Sequence, residues 1–217
     1  MLAQNDLLLE ITKKLAGRKP AEEKVLECYR QRFGFGKMHN LGTFTGPWSE
    51  ACLRASLEEI CTDMGDRVIF DPIRPGELIG DFVFERRKGQ NMVVLNMRQD
   101  NLLLDYMGID ELAVFDGLPT LFEIKLSKNR AHDGGPGSKG TNYAMRPERI
   151  DYLLAPLRRR FGKNCAYVLV VIADNYKPDI SVTQANFLQA GGILVPFYAK
   201  KAEFDAELKL VKEKHGL

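Results

Sequence analysis

The feature that most constrains the fold of this chain is an uncharged apolar run from Cys165 to Ala173. A helix that crosses a bilayer needs about 20 such residues, so this run of nine is too short to span a membrane. Within it, Tyr167–Ala173 lacks the apolar–polar alternation of a strand with one face in water. The segment therefore predicts a strand covered on both faces, and the rest of the chain must supply helices for two sides of a sheet.

Helical spacing and capping residues predict six helices. Asn5 or Asp6 caps the first, Gly65 ends the third, and Pro147 suits the first turn of the fourth. The glycine-rich residues 34–46 are typical of a loop between the second and third helices. The predicted helices are residues 6–15, 21–33, 49–64, 147–161, 181–190 and 202–214.

Short strands follow the third helix, and strands then alternate with helices to the end of the chain. Lys88-Gly89-Gln90 and Asp116-Gly117 predict hairpin turns, and residues 102–115 form either one bent strand or two strands broken near Gly108. This order predicts an α/β fold with a mixed β-sheet flanked by helices on both faces. The predicted strands are residues 67–70, 82–86, 92–97, 102–106, 111–115, 120–126, 167–173 and 193–198.

Length and composition indicate one globular domain without a secretory signal. Hydrophobic residues make up 45% of the 217 positions and charged residues 28%, which is typical of soluble proteins. The apolar stretch Leu7–Leu9 is broken by Glu10 and is not preceded by basic residues. None of the four cysteines lies in a Cys-x-x-Cys pair, which favours reduced, buried thiols in a cytoplasmic protein and disfavours a zinc site.

Positive charge is concentrated between Lys125 and Cys165, although the whole chain carries only +2. This segment holds ten Lys or Arg against three acidic residues, and residues 127–146 within it predict a long exposed loop. Such a segment is expected either to bind a polyanion or to be a merely solvated basic surface. The residues that we expect to contact nucleic acid are Lys128, Arg130, Lys139, Arg146 and Arg149.

The chemically informative segment lies between Asp110 and Lys125. An acid opens one predicted strand, Asp116-Gly117 turns the chain, and the returning strand carries Glu123 and Lys125. Side chains alternate along a strand, so Glu123 and Lys125 share one face, and an antiparallel neighbour brings Asp110 beside them. Two carboxylates suit Mg²⁺, for which Mn²⁺ could substitute, and the lysine could orient the attacking water.

Glu-x-Lys alone carries little information, because it occurs three times in the chain. Glu22–Lys24 and Glu207–Lys209 lie in helical patterns, where such residues are ordinary surface residues. The alternative for Glu123–Lys125 is a charged hairpin at the edge of a sheet, with both side chains in solvent.

The acid, hairpin and Glu-x-Lys pattern resembles the core of the PD-(D/E)XK nuclease superfamily, which includes archaeal Holliday-junction resolvases and many restriction enzymes. Asp110 and Glu123–Lys125 match its order and spacing, while Ile109 stands where the family often has Pro. The resemblance implies a restriction-endonuclease-like fold with an α-β-β-β-α-β core at residues 48–173, flanked by a helical extension at 1–47 and an α-β-α extension at 174–217. It also implies that Asp110, Glu123 and the Ile124 carbonyl bind the metal, and that Lys125 orients water.

Family members often carry a further acid on the helix before the sheet. Glu50 is the first candidate, because it lies three and seven residues before the apolar Leu53 and Leu57. Glu22 is similarly placed on the preceding helix. Either residue is also explained as an acid favoured by the positive end of a helix dipole.

We therefore expect a Mg²⁺-dependent endonuclease that hydrolyses phosphodiester bonds in double-stranded or branched DNA. The protein is not expected to bind membranes, and it is expected to form a homodimer if it cuts both DNA strands. The first alternative is a nucleic-acid-binding protein of the same fold that does not cleave. The second is an interaction protein with a charged hairpin, and the sequence leaves RNA open as a substrate.

Overall fold

The computed structural model describes residues 5–33, 41–72, 78–79, 82–87, 90–95, 110–127, 144–162, 164–173, 182–198 and 201–216. Its helices are α1 (Asp6–Leu15), α2 (Glu22–Phe33), α3 (Leu41–Cys61), α4 (Pro147–Phe161), α5 (Val182–Gln189) and α6 (Lys201–His215). Its strands are β1 (Val68–Phe70), β2 (Leu78–Ile79), β3 (Phe82–Arg87), β4 (Gln90–Leu95), β5 (Glu111–Phe115), β6 (Leu118–Ser127), β7 (Ala166–Ala173) and β8 (Gly192–Tyr198).

A five-stranded mixed sheet, in the order β1-β5-β6-β7-β8, organises these elements. The neighbours β1, β5 and β6 are antiparallel, whereas β6, β7 and β8 run parallel. Parallel neighbours need crossover connections, and the segments with α4 and α5 supply them. The predicted α/β fold with a mixed sheet is confirmed, and β6 is its central strand.

Apolar side chains cover both faces of this sheet. On one face, α1, α2, α3 and α6 pack with Phe122 and Ile124 of β6. On the other face, α4 and Phe187 of α5 pack with Leu121. Strand β7 contributes Val168 and Val170 to the first cluster, and Tyr167 and Leu169 to the second. The prediction that this strand is covered on both sides is confirmed.

Asn5 joins the first helix to the sheet. Its Oδ1 atom accepts a hydrogen bond from the Leu8 amide at 3.0 Å, which caps α1. Its Nδ2 atom donates to the Phe115 carbonyl at the end of β5, at 2.8 Å. Leu7, Leu8 and Ile11 of α1 are buried in the same cluster as the sheet. The first helix therefore belongs to the layer that covers the central sheet.

The third helix begins earlier than the sequence predicts. Residues 41–46 were expected to be loop because of their glycines, but they are helical and continue through Pro47. Phe44 and Trp48 pack against Tyr29 of α2, with ring centroids 5.2 and 5.9 Å from it. Burial of these aromatic rings outweighs the low helix propensity of the glycines.

The predicted hairpin at residues 82–97 forms as β3 and β4, but it does not join the five-stranded sheet. It pairs with β2 in a separate three-stranded sheet, in the order β2-β3-β4. The predicted strand at 102–106 and most of the predicted loop at 127–146 lie outside the described residues. No helix in the described part of the chain is long and apolar enough to span a bilayer.

Gly192 at the start of β8 is in close contact with the ring of Phe187. A Cβ atom at this position would lie 2.4 Å from the Cζ atom of that ring, which is fully buried. We expect Gly192→Ala to lower the free energy of unfolding by about 1–3 kcal/mol through overpacking. Urea denaturation of the two proteins measures the difference. The same substitution in a Phe187→Leu background should cost clearly less, and an equal cost in both backgrounds would contradict the contact.

Candidate active site

The predicted charged residues meet where β6 extends beyond β5. The antiparallel register pairs Glu111 with Phe122, and Asp110 directly precedes Glu111 in the chain. On its other side, β6 continues in parallel register with β7 as far as Ser127. Because Glu123 is 1% exposed and β6 pairs with β7 along Glu123–Lys125, the alternative of a hairpin with both side chains in solvent is wrong.

Asp110 is fastened to the central strand by its side chain. Its Oδ2 atom accepts a hydrogen bond of 2.7 Å from the backbone amide of Ile124. Burial, the largest cause, and the charge of Glu123 raise the pKa of Asp110 to about 6, against the opposing charge of Lys125. The residue is 9% exposed and lies close enough to Glu123 and Lys125 to feel both charges.

Glu123 has a different partner on each oxygen atom. Its Oε1 atom lies 2.6 Å from the ammonium nitrogen of Lys125, and its Oε2 atom accepts a hydrogen bond from the hydroxyl of Tyr167. The side chain of Lys125 is 20% exposed, so this end of the cluster reaches the surface. The sequence prediction that Glu123, Lys125 and Asp110 converge is therefore matched by the geometry.

Glu50, and not Glu22, is the helical acid beside this cluster. Glu50 is buried on α3, 3.3 Å from the guanidinium of Arg32. Burial and then the charge of Asp110 raise the pKa of Glu50 to about 8. Glu22 instead contacts Lys214 and His215 of α6, whose hydrogen bonds lower its pKa.

A further buried acid, Glu111, was not identified from the sequence. One of its oxygen atoms accepts a hydrogen bond from Arg32, and the other accepts one from Arg54 at 2.9 Å. Burial raises the pKa of Glu111, and the two guanidinium charges oppose this shift. Because side chains alternate, Glu111 points to the same face of the sheet as Phe122, and Glu123 points to the other face. An acid in the otherwise apolar strand Glu111–Phe115 was the available signal.

Tyr167 was also missed, because its strand was interpreted only as an apolar core element. It is fully buried, and its ring packs edge-on against Phe187 with the centroids 5.9 Å apart. A buried hydroxyl needs a hydrogen-bond partner, and here that partner is Glu123. A tyrosine in an apolar strand next to an acid-bearing strand was the signal that could have found it.

The predicted nucleic-acid contacts lie mostly outside the described residues. Lys128, Arg130 and Lys139 fall there entirely, and so does the side chain of Arg149. Arg146 is exposed at the N-terminus of α4. At the other end of this helix, Arg158 forms an ion pair with Asp151 at 2.8 Å.

The metal donors at the site are few. Over the described ranges, no group of three or more His, Cys, Asp or Glu side chains is arranged to hold a metal ion. Asp110 and Glu123 form a pair of carboxylates, with the Ile124 backbone between Glu123 and Lys125. Glu50 is engaged with Arg32, so it is a neighbour of this pair and does not complete a third carboxylate ligand.

Comparisons with known proteins add one structural similarity. No family model matches the chain, and no curated protein matches it. The crystal structure of protein VC1899 from Vibrio cholerae is similar at a TM-score of 0.41 and 14% sequence identity. The match covers 97% of this chain and 48% of the other, so this chain spans about half the length of that protein.

The pairing of Glu111 with two arginines should be important for stability. Glu111→Ala removes the buried carboxylate that accepts hydrogen bonds from both Arg32 and Arg54. Arg32 keeps its contact with Glu50, and Arg54 keeps its contacts with Glu58 and Asp71. We therefore expect the free energy of unfolding to fall by about 3 kcal/mol, which is typical for the loss of one partner from a buried ion pair. Guanidinium denaturation measures this change. Glu10→Ala, which removes the exposed ion pair with Lys14 on α1, is the control and should leave unfolding unchanged. Equal effects of the two substitutions would contradict the role of Glu111.

Glu50 should make stability depend on pH. Burial raises its pKa to about 8 from an ordinary value near 4.5, so the folded state binds this proton more tightly than the unfolded state. Its contribution is then present at low pH and is lost as pH rises from about 4.5 through about 8. Glu50→Gln removes the titration, so the variant should gain stability relative to wild type as pH rises.

Denaturation in chelator at about pH 5 and about pH 8 measures this relative gain. Glu10→Gln on the exposed face of α1 serves as the control. A stability difference between Glu50→Gln and wild type that stays constant with pH would refute the prediction.

Proposed function

We propose that the protein is a Mg²⁺-dependent endonuclease of restriction-endonuclease-like fold that hydrolyses phosphodiester bonds in DNA. The observation that carries the proposal is the convergence of Asp110, Glu123 and Lys125 at one end of the central strand. This arrangement combines two buried carboxylates with an ammonium group that reaches the surface. It supplies the residue types that metal-assisted phosphodiester hydrolysis requires.

The two carboxylates of Asp110 and Glu123 suit a divalent cation by charge. Asp110 and Glu123 bring two carboxylates together beside the ammonium group of Lys125, and the charge of Arg32 also acts on Asp110. By contrast, Glu111 on the opposite face is matched by two guanidinium groups. Asp110, Glu123 and the Ile124 carbonyl would hold Mg²⁺, which commonly takes one or two carboxylates and retains water. When bound, the ion supplies Lewis-acid stabilisation of phosphate charge and a more acidic water.

The side chains of the site have separate tasks in this proposal. Asp110 is oriented by the Ile124 amide, and Glu123 by Lys125 and Tyr167. Lys125 lies at the solvent side of the cluster, where its ammonium group can orient water or bind a phosphate oxygen. Glu50 of α3 lies close enough to Asp110 to be affected by its charge, and the raised pKa of Glu50 lets it hold a proton near neutral pH.

DNA is the proposed substrate because of the basic segment from Lys125 to Cys165. Lysine and arginine contacts to phosphates position a nucleic acid without reading its sequence. Arg146, which is exposed at the start of α4, belongs to the proposed set of phosphate contacts. Double-stranded or branched DNA, action as a homodimer and a cytoplasmic location complete the proposal. All four cysteines are buried and free of disulfides, which suits a reducing compartment.

Cleavage assays test the function directly. Asp110→Asn, Glu123→Gln and Lys125→Met should each reduce Mg²⁺-dependent cleavage by at least about 100-fold, because each removes a group that contacts the reacting atoms. Plasmid, linear, branched and single-stranded DNA should be compared, with RNA included. Glu58→Gln, a matched change on the outer side of α3, is the control that should keep activity. Wild-type cleavage by Glu123→Gln would exclude this site.

The same assays separate the alternative function. Salt-sensitive DNA binding by wild type with no cleavage of any substrate would favour a nucleic-acid-binding protein that does not cleave. Absence of both activities would favour an interaction protein.

A further inference from the structure

The two oxygen atoms of Glu123 are held by groups of different character. Lys125 approaches one oxygen from the solvent side, and its long side chain is partly exposed. Tyr167 donates to the other oxygen from within the core, where it is fully buried. The tyrosine is therefore the rigid partner of this carboxylate, and the lysine is the adaptable one.

Packing fixes the position of the Tyr167 hydroxyl. Tyr167 pairs with Leu121 across the parallel β6–β7 register, two residues before Glu123. Its ring is held by Phe187, which in turn lies over Gly192. The ring belongs to the hydrophobic cluster on this face, together with Leu121, Leu169 and Phe187, so the ring contributes to packing in a way that the hydroxyl does not. Burial of a hydroxyl in such surroundings is unfavourable unless it forms a hydrogen bond, and its described partner is Glu123.

A hydrogen bond to a charged carboxylate is stronger than a neutral one and fixes the orientation of the group. Groups that orient metal ligands in this way commonly change metal affinity or activity when they are removed. We infer that Tyr167 is a positioning residue that holds Glu123 in the orientation required to bind the divalent cation. This inference rests on the proposed function and adds a residue from the core strand β7 to that site.

Tyr167→Phe tests the inference because it removes one hydroxyl and keeps the ring. We expect the affinity for Mn²⁺, measured by isothermal titration calorimetry without DNA, to fall by about 10-fold or more. The kcat for cleavage should fall as well, while KM for DNA stays close to wild type because the phosphate-binding residues are untouched. Circular dichroism should show an unchanged fold.

Tyr198→Phe is the matched control. Tyr198 is also buried and is hydrogen-bonded to Cys52, but it lies on β8 in the core cluster of the opposite sheet face. Its loss should leave Mn²⁺ affinity unchanged. In a Glu123→Gln background, Tyr167→Phe should cause no further loss of Mn²⁺ affinity, because the two residues act on the same ligand.

The outcomes separate the inference from the proposed function. If Glu123→Gln weakens Mn²⁺ binding but Tyr167→Phe does not, the positioning role is overturned and the metal site stands. If both tyrosine variants weaken binding equally, the effect is a general loosening and the positioning role is again overturned. If wild type does not bind Mn²⁺, or Glu123→Gln binds it like wild type, both the metal site and the role of Tyr167 are overturned.

Discussion

The hydrogen bond from the Ile124 amide to the carboxylate of Asp110 joins the start of β5 to the centre of the sheet. It is buried, and burial of a carboxylate is costly unless donors or opposite charges surround it. Helices cover both faces of the sheet, so solvent cannot supply these partners within the layers. The acids must therefore be satisfied by the neighbouring strand, by Lys125 at the exposed end of the cluster, or by a bound cation.

Asp110 and Glu111 are adjacent in the chain, but because side chains alternate at the start of β5 they belong to two different acidic centres. Glu111 points to the layer that contains α2 and α3, where Arg32 and Arg54 each donate a hydrogen bond to one of its oxygen atoms. Asp110 belongs with Glu123 and Lys125 at the other centre, where burial keeps its pKa high. The first centre is balanced by protein charges alone, which suits a structural role. The second brings two carboxylates together at the end of the cluster that reaches the surface, with Lys125 in contact with Glu123, and this pair of carboxylates is what makes it a candidate site for a divalent cation.

The sequence predicted those contacts that local geometry determines. Strand alternation and the Asp116-Gly117 turn are sufficient to bring Asp110 beside Glu123, because both act over a few residues. Contacts between Arg32 and Glu111 depend on how α2 docks on the sheet, across 79 positions of sequence, and no local pattern specifies them. The predicted start of α3 was wrong for a related reason. Packing between Tyr29 and Phe44 stabilises the helix despite the glycines, which favour a loop. Tertiary packing thus decided the features that propensity and spacing could not.

Arg32 joins Glu111 to Glu50, the acid on α3 beside Asp110, and gives helix α2 a part in the surroundings of the site. Its guanidinium contacts Glu50 on α3 and Glu111 on β5, and Glu111 is the chain neighbour of Asp110. A shift of α2 would therefore move Arg32 relative to both acids and would change the electrostatic surroundings of Asp110, whose pKa is sensitive to Arg32. Residues of α1 and α2 also lie in the same core cluster as β6 and β7. Helices α1 and α2 are thus part of the scaffold around the candidate site, and the position of Arg32 on α2 contributes to the charge that surrounds Asp110.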